Sequence, residues 1–247
     1  MSAPLFFVAD GVLGAVAVGD TVRLDGPEGR HAATVTRLTT GEEILVADGS
    51  GRLVRGRVSA VGRGELELVA GDIRDQPAPE PRFTLVQALA KGDRDLLAIE
   101  IGTELGVDEV VPWAASRSVV VWRGERAGKA HAKWERTVRA ATKQARRARV
   151  PTVAPLVDRS ALVERVRQAD LALVLHEEAT DPLVGVELPA SGVVLLVVGP
   201  EGGISSEETA ALVAAGARSV RLGDTVLRTS TAGAAAIALL SGRSRWA

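Results

Sequence analysis

A chain of 247 residues has room for one large domain or two ordinary ones, with a substantial buried core. A content of 46% apolar and 25% charged residues, at a net charge of −1, is that of a soluble globular protein, and no apolar run approaches the roughly 20 residues of a membrane span. Cysteine is absent, which excludes disulfides, zinc–thiolate sites and thiol nucleophiles and accords with a reducing cytoplasm. The histidines, His31, His131 and His176, stand too far apart in sequence to predict a metal site.

The opening MSAPLFFVAD lacks the basic region and long apolar core of a secretory signal, so a cytoplasmic location is expected. From there to about residue 74 the chain has β character. Short alternating runs at Thr21–Leu24, Ile44–Ala47, Leu53–Val58 and Glu65–Val69 are separated by turn signals at Gly19-Asp20, Asp25-Gly26, Asp48-Gly49 and Gly62-Arg63-Gly64. That spacing predicts a small barrel. Asp75–Arg82, DQPAPEPR, carries three prolines and reads as a stiff linker, with a domain boundary near residue 78.

Beyond the linker, strand and helix patterns alternate, which predicts an α/β domain over 83–247 with a mainly parallel sheet. Phe83–Leu89 reads as a strand, and Arg94–Leu105 as a helix with Leu97, Ile101 and Leu105 on its inner stripe, stopped by Gly106. Glu109–Trp113 is a strand. Ala130–Arg149 is a long helix with Trp134, Val138, Ala141 and Ala145 along one face. Leu162–Gln168 is helical and Leu171–Leu175 is a buried strand. Val193–Val198 is apolar without alternation, as in a strand covered on both faces. Ser205 and Glu208 have the spacing of a capping box, and Gly216 ends the helix they open. Val220–Leu222 is a last short strand, and Gly223–Ala232 a loop before an Ala-rich helix.

Two features point to chemistry. Between Arg123 and Arg149 there are ten Lys or Arg residues against two acids, Glu125 and Glu135. Only Glu135 stands within the helix to pair with them. Such an excess either forms a solvated helix face or meets an anionic partner, and phosphate backbone is the usual one. The second feature is a pair of loops, Gly199–Gly203 and Gly223–Ala232, each following an apolar run and leading into a helix. Loops at the carboxyl ends of parallel strands are where open α/β sheets bind ligands, and helix-start N–H groups hold polar ones. Neither loop is a Walker loop or a GxGxxG fingerprint, and there is no GxSxG elbow.

GPEGG at 199–203, followed by LGDTVLRTSTA at 222–232, resembles the RsmE family, SPOUT-class methyltransferases of 16S rRNA that act on N3 of one uridine in the small ribosomal subunit. His31, Val35 and Arg37 resemble the HxxxVxR segment of that family's PUA-like RNA-binding barrel, with Asp48-Gly49 following as expected. Lys91 and Thr103–Val107 are similar to its K…ELGV segment. Arg117-Ser118, Trp134, Lys143-Gln144, Arg147, Pro151 and His176-Glu177 occur in the family's order.

The resemblance implies a PUA-like barrel over 1–74 and a knotted SPOUT domain over 83–247, working as a homodimer without a metal. It further implies a cofactor, S-adenosylmethionine, held in a bent form by three loops. Carried over residue by residue, the cofactor-binding set is Leu175, His176, Val198, Gly199, Glu201, Gly203, Leu222, Gly223, Leu227, Thr229, Ser230 and Ala232. His31, Arg37, Lys143 and Arg147, together with Arg139 and Arg146 of the basic stretch, are expected to bind RNA. Arg228, Glu201 and Ser230 are the candidates for catalysis. Arg228 would stabilise charge on a uracil oxygen or serve as a helix-start ion pair. Glu201 would accept a proton, take the ligand's ammonium group, or satisfy loop N–H groups. Ser230 stands where many relatives have a glutamate (LRTETA), and Leu5 where relatives often carry an arginine before the aromatic pair Phe6-Phe7. A hydroxyl cannot act as general base in a carboxylate's place, so proton removal falls to another group or to solvent. A catalytically silent RNA-binding assembly factor, or a methyltransferase acting on another RNA, is the alternative.

Overall fold

The computed structural model describes residues 3–9 and 11–246; Met1, Ser2 and Asp10 of the opening stretch lie outside them. The chain divides into two compact units: residues up to Ala78 with Thr142–Val150, and Pro79–Ala141 with Pro151 onward.

The first unit is built on a five-stranded sheet in the order β1-β3-β4-β5-β2. Its strands are β1 (Leu5–Phe7), β2 (Thr21–Leu24), β3 (Glu43–Ala47), β4 (Arg52–Val61) and β5 (Leu66–Asp75). All neighbours are antiparallel except β1 and β3. The sheet curls as a PUA-like barrel does. Register shifts between Arg55 and Gly56 and between Val58 and Ala60 bend the β4–β5 pair. Gly56 is obligatory at that bend, because a Cβ there would stand 2.4 Å from the Val69 carbonyl oxygen. Leu24, Ile44, Val46, Val54, Leu66 and Leu68 line the core.

The turn expected at Asp25-Gly26 opens a helix instead, α1 (Gly26–Arg30), continued by one wider turn over His31–Val35 in which Thr36 N–H donates to the His31 carbonyl. Pro27, with its φ preset for the first helical turn, explains the difference. Thr142–Val150, assigned by the sequence reading to the second domain, belongs to this unit. Ala148 and Val150 pack with Leu5, Phe7 and Ala47, and Val150 N–H bonds the Gly49 carbonyl at 2.9 Å.

The second unit contains an all-parallel six-stranded sheet in the order β11-β9-β10-β6-β7-β8. These strands are β6 (Arg82–Ala88), β7 (Glu109–Trp113), β8 (Thr152–Val153), β9 (Leu171–Leu175), β10 (Val193–Val198) and β11 (Arg218–Val220). β10 enters between β9, the strand just before it in the chain, and β6, the first strand of the unit. Its register aligns Val198 with Leu175 on one side and with Gln87 on the other, and Leu175 with Val220. One rung thus runs through the carboxyl ends of four strands.

Helices cover both faces, which is why β10 is apolar at every position. α4 (Arg159–Gln168) and α5 (Ser206–Ala214) bring Leu162, Val166 and Leu212 onto Val86, Val111, Val174 and Val197. α2 (Arg94–Glu104) packs with α6 (Thr229–Gly242), Gly102 of α2 lying beside Ile237, and Gly233 of α6 lies against Leu85 of β6. The Ala-rich last helix is therefore largely core. The stripe read for α2 is corrected: its buried face is Asp95, Ala98, Ile99, Gly102 and Thr103, and Leu97 is exposed, because a helix packing on small residues does not turn its leucines inward.

Three boundaries also shift. α3 spans Glu125–Gln144, a turn earlier at both ends than the pattern Ala130–Arg149 suggested, with Trp134, Val138 and Ala141 buried as expected. β11 precedes rather than includes Leu222. α6 begins at Thr229, so the final loop is shorter than Gly223–Ala232.

Both halves of the Ser205–Glu208 capping box form. Glu208 is 2% exposed and also takes the Ser116 N–H at 2.7 Å and the Ser116 hydroxyl at 2.8 Å. Burial by itself would raise the Glu208 carboxyl. Its hydrogen bonds to Ser116 and Ser205 outweigh that and hold its pKa below the ordinary value. A depressed carboxylate stabilises the fold fully above its unfolded pKa, and that contribution disappears as pH falls through the lower folded value. Glu208→Ala is expected to cost about 3 kcal/mol in urea unfolding at neutral pH, and the difference from wild type is expected to shrink as pH falls below the ordinary glutamate pKa.

Candidate cofactor and active site

Three chain segments leave the rung formed by Val220, Leu175, Val198 and Gln87, and they enclose a cavity of about 280 Å³. The first is Leu175-His176-Glu177 after β9. The second is Val198–Ile204 after β10. The third is Val226–Thr229, which leads with Ala232 into α6. The volume stands at the lower edge of the roughly 300–1,000 Å³ of small-molecule sites. A smaller recess of about 70 Å³ shares Leu175, His176, Leu227 and Ala232 and adds Leu222 and Gly223.

Leu175, Val198, Ile204, Leu227 and Ala232 make an apolar wall, and Arg94, Glu201 and Arg228 bring charge to it. Arg228 is exposed, in extended backbone at the N-cap of α6. His176 is fixed by its backbone, whose N–H bonds the Val220 carbonyl at 3.0 Å. Gly203 has φ near +72°, a conformation that favours glycine and lets the loop turn into α5.

Glu201 faces Arg94. One carboxylate oxygen accepts from Arg94 Nη1 at 2.9 Å and from the Lys91 N–H at 3.1 Å. Burial would raise this carboxyl, but backbone hydrogen bonds, including that from Lys91, and the Arg94 guanidinium leave its pKa below the ordinary value. Arg94 had no motif to reveal it; in sequence it is one more charge at a helix start.

Most residues expected at the cofactor site thus converge. Leu175, His176, Val198, Gly199, Glu201, Gly203, Leu227, Arg228, Thr229 and Ala232 line the larger cavity, and Leu222 and Gly223 its recess. Ser230 does not join them. It is buried in the first turn of α6 and is not part of either cavity wall.

Among the residues expected to bind RNA, Lys143 and His31 meet at one ring. The Lys143 ammonium lies 4.5 Å from the centre of the Phe6 ring, and the His31 imidazole approaches that ring edge-on at 6.1 Å. Lys143 also pairs with Glu28 at 2.6 Å, so it is anchored within the protein. His31, Arg37 and Arg146 are exposed, the last two with φ near +57° and +55°. Arg139 and Arg147 both make interactions of their own. The positive charge of this stretch is offset more than the sequence suggested, since Lys133 pairs with Asp93 at 2.9 Å and Lys143 with Glu28, while Arg149 donates to the Gln76 carbonyl. Those partners come from distant parts of the chain. Among the described residues, no cluster of three or more His, Cys, Asp or Glu could hold a metal, and no helix is long and apolar enough to cross a membrane.

The Arg94–Glu201 pair makes a direct prediction. In a carboxyl-carbon NMR titration Glu201 is expected to titrate below 4.5, and Arg94→Met is expected to move its midpoint upward.

An RNA methyltransferase domain model matches residues 77–241, and an RNA methyltransferase PUA domain model matches residues 24–70. The ribosomal RNA small subunit methyltransferase E of Mycobacterium bovis is 48% identical over 238 residues, covering 94% of this chain and 89% of that protein. The enzyme of the same name from Bacillus subtilis is 27% identical, with 90% of each chain covered. The crystal structure of the Neisseria gonorrhoeae ribosomal RNA small subunit methyltransferase E bound to S-adenosyl methionine superposes with a TM-score of 0.85 at 29% identity over 98% of both chains. With the cavity at the carboxyl ends of its parallel strands and both domain models matched, the chain belongs to the ribosomal RNA small subunit methyltransferase E family.

Proposed function

We propose that this chain transfers a methyl group from S-adenosylmethionine to N3 of a uridine in 16S rRNA of the small ribosomal subunit, as a cytoplasmic homodimer that needs no metal. The observation that carries the proposal is the cavity at the ends of β9 and β10, with its apolar wall and charged rim. Ligand binding by the Neisseria gonorrhoeae relative supports the same cofactor here. The insertion of β10 between β9 and β6 accords with a knotted chain path.

The residues present fit the group. Leu175, Val198, Ile204 and Leu227 form a slot for a flat ring, and Arg94 and Glu201 offer charged partners for its polar ends. When bound, S-adenosylmethionine supplies a methyl group activated by a sulfonium centre. The protein's share is orientation and charge. Uridine N3 carries a proton at neutral pH and lies on the Watson–Crick edge, so the base must be unpaired and its anion stabilised. Arg228 is the cation placed for that task. Glu201 is a poor proton acceptor, since its carboxylate already serves Arg94 and the Lys91 N–H; its part is to fix the 199–203 loop. Ser230, outside the cavity wall, is given no part in proton removal, and the N3 proton goes to solvent.

RNA contact is assigned to His31, Arg37, Arg139, Arg146 and Arg147. Lys143, held by Glu28 and Phe6, shapes the surface rather than grips phosphate.

The decisive test incubates the protein with labelled S-adenosylmethionine and small subunits lacking the modification, followed by nucleoside digestion and mass analysis. A single N3-methyluridine is expected; cofactor binding without product would favour a silent assembly factor. Arg228→Ala is expected to slow transfer by about a hundredfold or more while cofactor affinity stays within a few-fold. Arg146→Glu is expected to weaken RNA binding and to lower the slope of its salt dependence by about one.

A further inference from the structure

We propose that Gln87 is a positioning residue for the cofactor cavity: its side-chain amide holds the Thr229 hydroxyl on the Gly199 carbonyl and so clamps together two of the loops that frame the site. Gln87 is the penultimate residue of β6 and is fully buried, on the same rung as Val198. Its Nε2 donates to Thr229 Oγ1 at 2.8 Å and to the Ala88 carbonyl at 3.1 Å. Thr229 Oγ1 donates in turn to the Gly199 carbonyl at 2.6 Å. The network fixes the amide's orientation. The Ala88 carbonyl can only accept, and the Thr229 hydroxyl has given its single proton to Gly199, so both must face an N–H.

Gln87 Oε1 is left buried with no hydrogen-bond partner. An apolar side chain of similar volume would fill this place without that defect. Packing therefore does not account for a glutamine here, and what the amide holds does. Gly199 opens the loop after β10, and Thr229 opens α6; both line the cavity. The residue after Gly199 is a proline, so the first peptide of that loop has no N–H with which to anchor itself. The Thr229 hydroxyl supplies the anchor through the carbonyl, and Gln87 supplies the hydroxyl's direction from a residue 142 positions earlier in the chain.

The affinity readout rests on the S-adenosylmethionine site proposed above; the clamp itself does not. Gln87→Met cuts the thread at its start and Thr229→Val at its middle link, and Thr229→Ser keeps it. Three quantities are measured: melting temperature, amide hydrogen exchange by segment, and S-adenosylmethionine affinity by calorimetry. Gln87→Met is expected to melt at or above the wild-type temperature. Its exchange is expected to speed up about tenfold at Glu201–Gly203 and in the first turn of α6, and its dissociation constant to rise about tenfold. Thr229→Val should match it in exchange and affinity but melt lower, since it strands the buried Gln87 amide, and Thr229→Ser should resemble wild type. Unchanged exchange at both segments in the two thread-cutting variants overturns the proposal. A lower melting temperature with exchange rising evenly through the unit also overturns it, by making the role structural. Should the wild-type protein bind no S-adenosylmethionine, the proposed function fails, and the exchange comparison still decides the clamp.

Discussion

The site depends on one constraint, the parallel pairing of β10 between β9 and β6. Its register places Leu175, Val198 and Gln87 on a single rung, with Val220 beyond Leu175. All three cavity segments start from that level or close to it. Were β10 to slip by one residue, every side chain of the strand would exchange faces, and two packed helix layers would lose their fit. The apolar run that makes β10 conspicuous is thus also what holds the cavity's loops in one plane.

Each segment near that rung is then tied by a polar contact in a mostly apolar setting, where such contacts are strong when complete and costly when not. Glu208 ties the loop after β7 to the start of α5 through Ser116. Glu201 ties the 199–203 loop to the turn before α2 through Lys91 and Arg94. At the far end of the unit, Arg245 is bound to Asp108 and to the carbonyls of Pro81 and Gly106, with its guanidinium 4.0 Å from the Phe83 ring centre. That contact secures the chain beyond α6. Together these ties give backbone loops, mobile by default, the fixed geometry that a binding site requires.

What the sequence disclosed follows from how local each signal is. β10 and the Ser205–Glu208 cap are legible because strand burial and capping are written within a few adjacent residues. The family motifs made the three cavity loops recognisable as well. Arg94, Gln87 and the Glu28–Lys143 pair were not visible as parts of anything, because their partners lie far away in the chain and no periodicity encodes them. The α6 start was misplaced because Thr229, Ser230 and Thr231 read as loop hydroxyls. In the structure they form the first helical turn behind an extended Arg228 that makes no side-chain cap. The stripe on α2 differs for a similar reason: its inner face is chosen by the elements packed against it, Ile237 of α6 and Leu85 of β6 among them, which the helix's own sequence does not announce.

The membership of Thr142–Val150 in the first unit bears on modularity. A proline-rich stretch at 75–82 invites the view of two exchangeable cassettes joined by a hinge. Yet a fragment ending at Ala78 lacks Ala148 and Val150, which cover Leu5, Phe7 and Ala47, and lacks the backbone bond between Val150 and Gly49. Recombination at the linker would transplant a first unit with an uncovered apolar face and no Arg149 on the Gln76 carbonyl. The first unit therefore cannot be cut out at the linker, because a segment of it, Thr142–Val150, lies between stretches of the second in the chain.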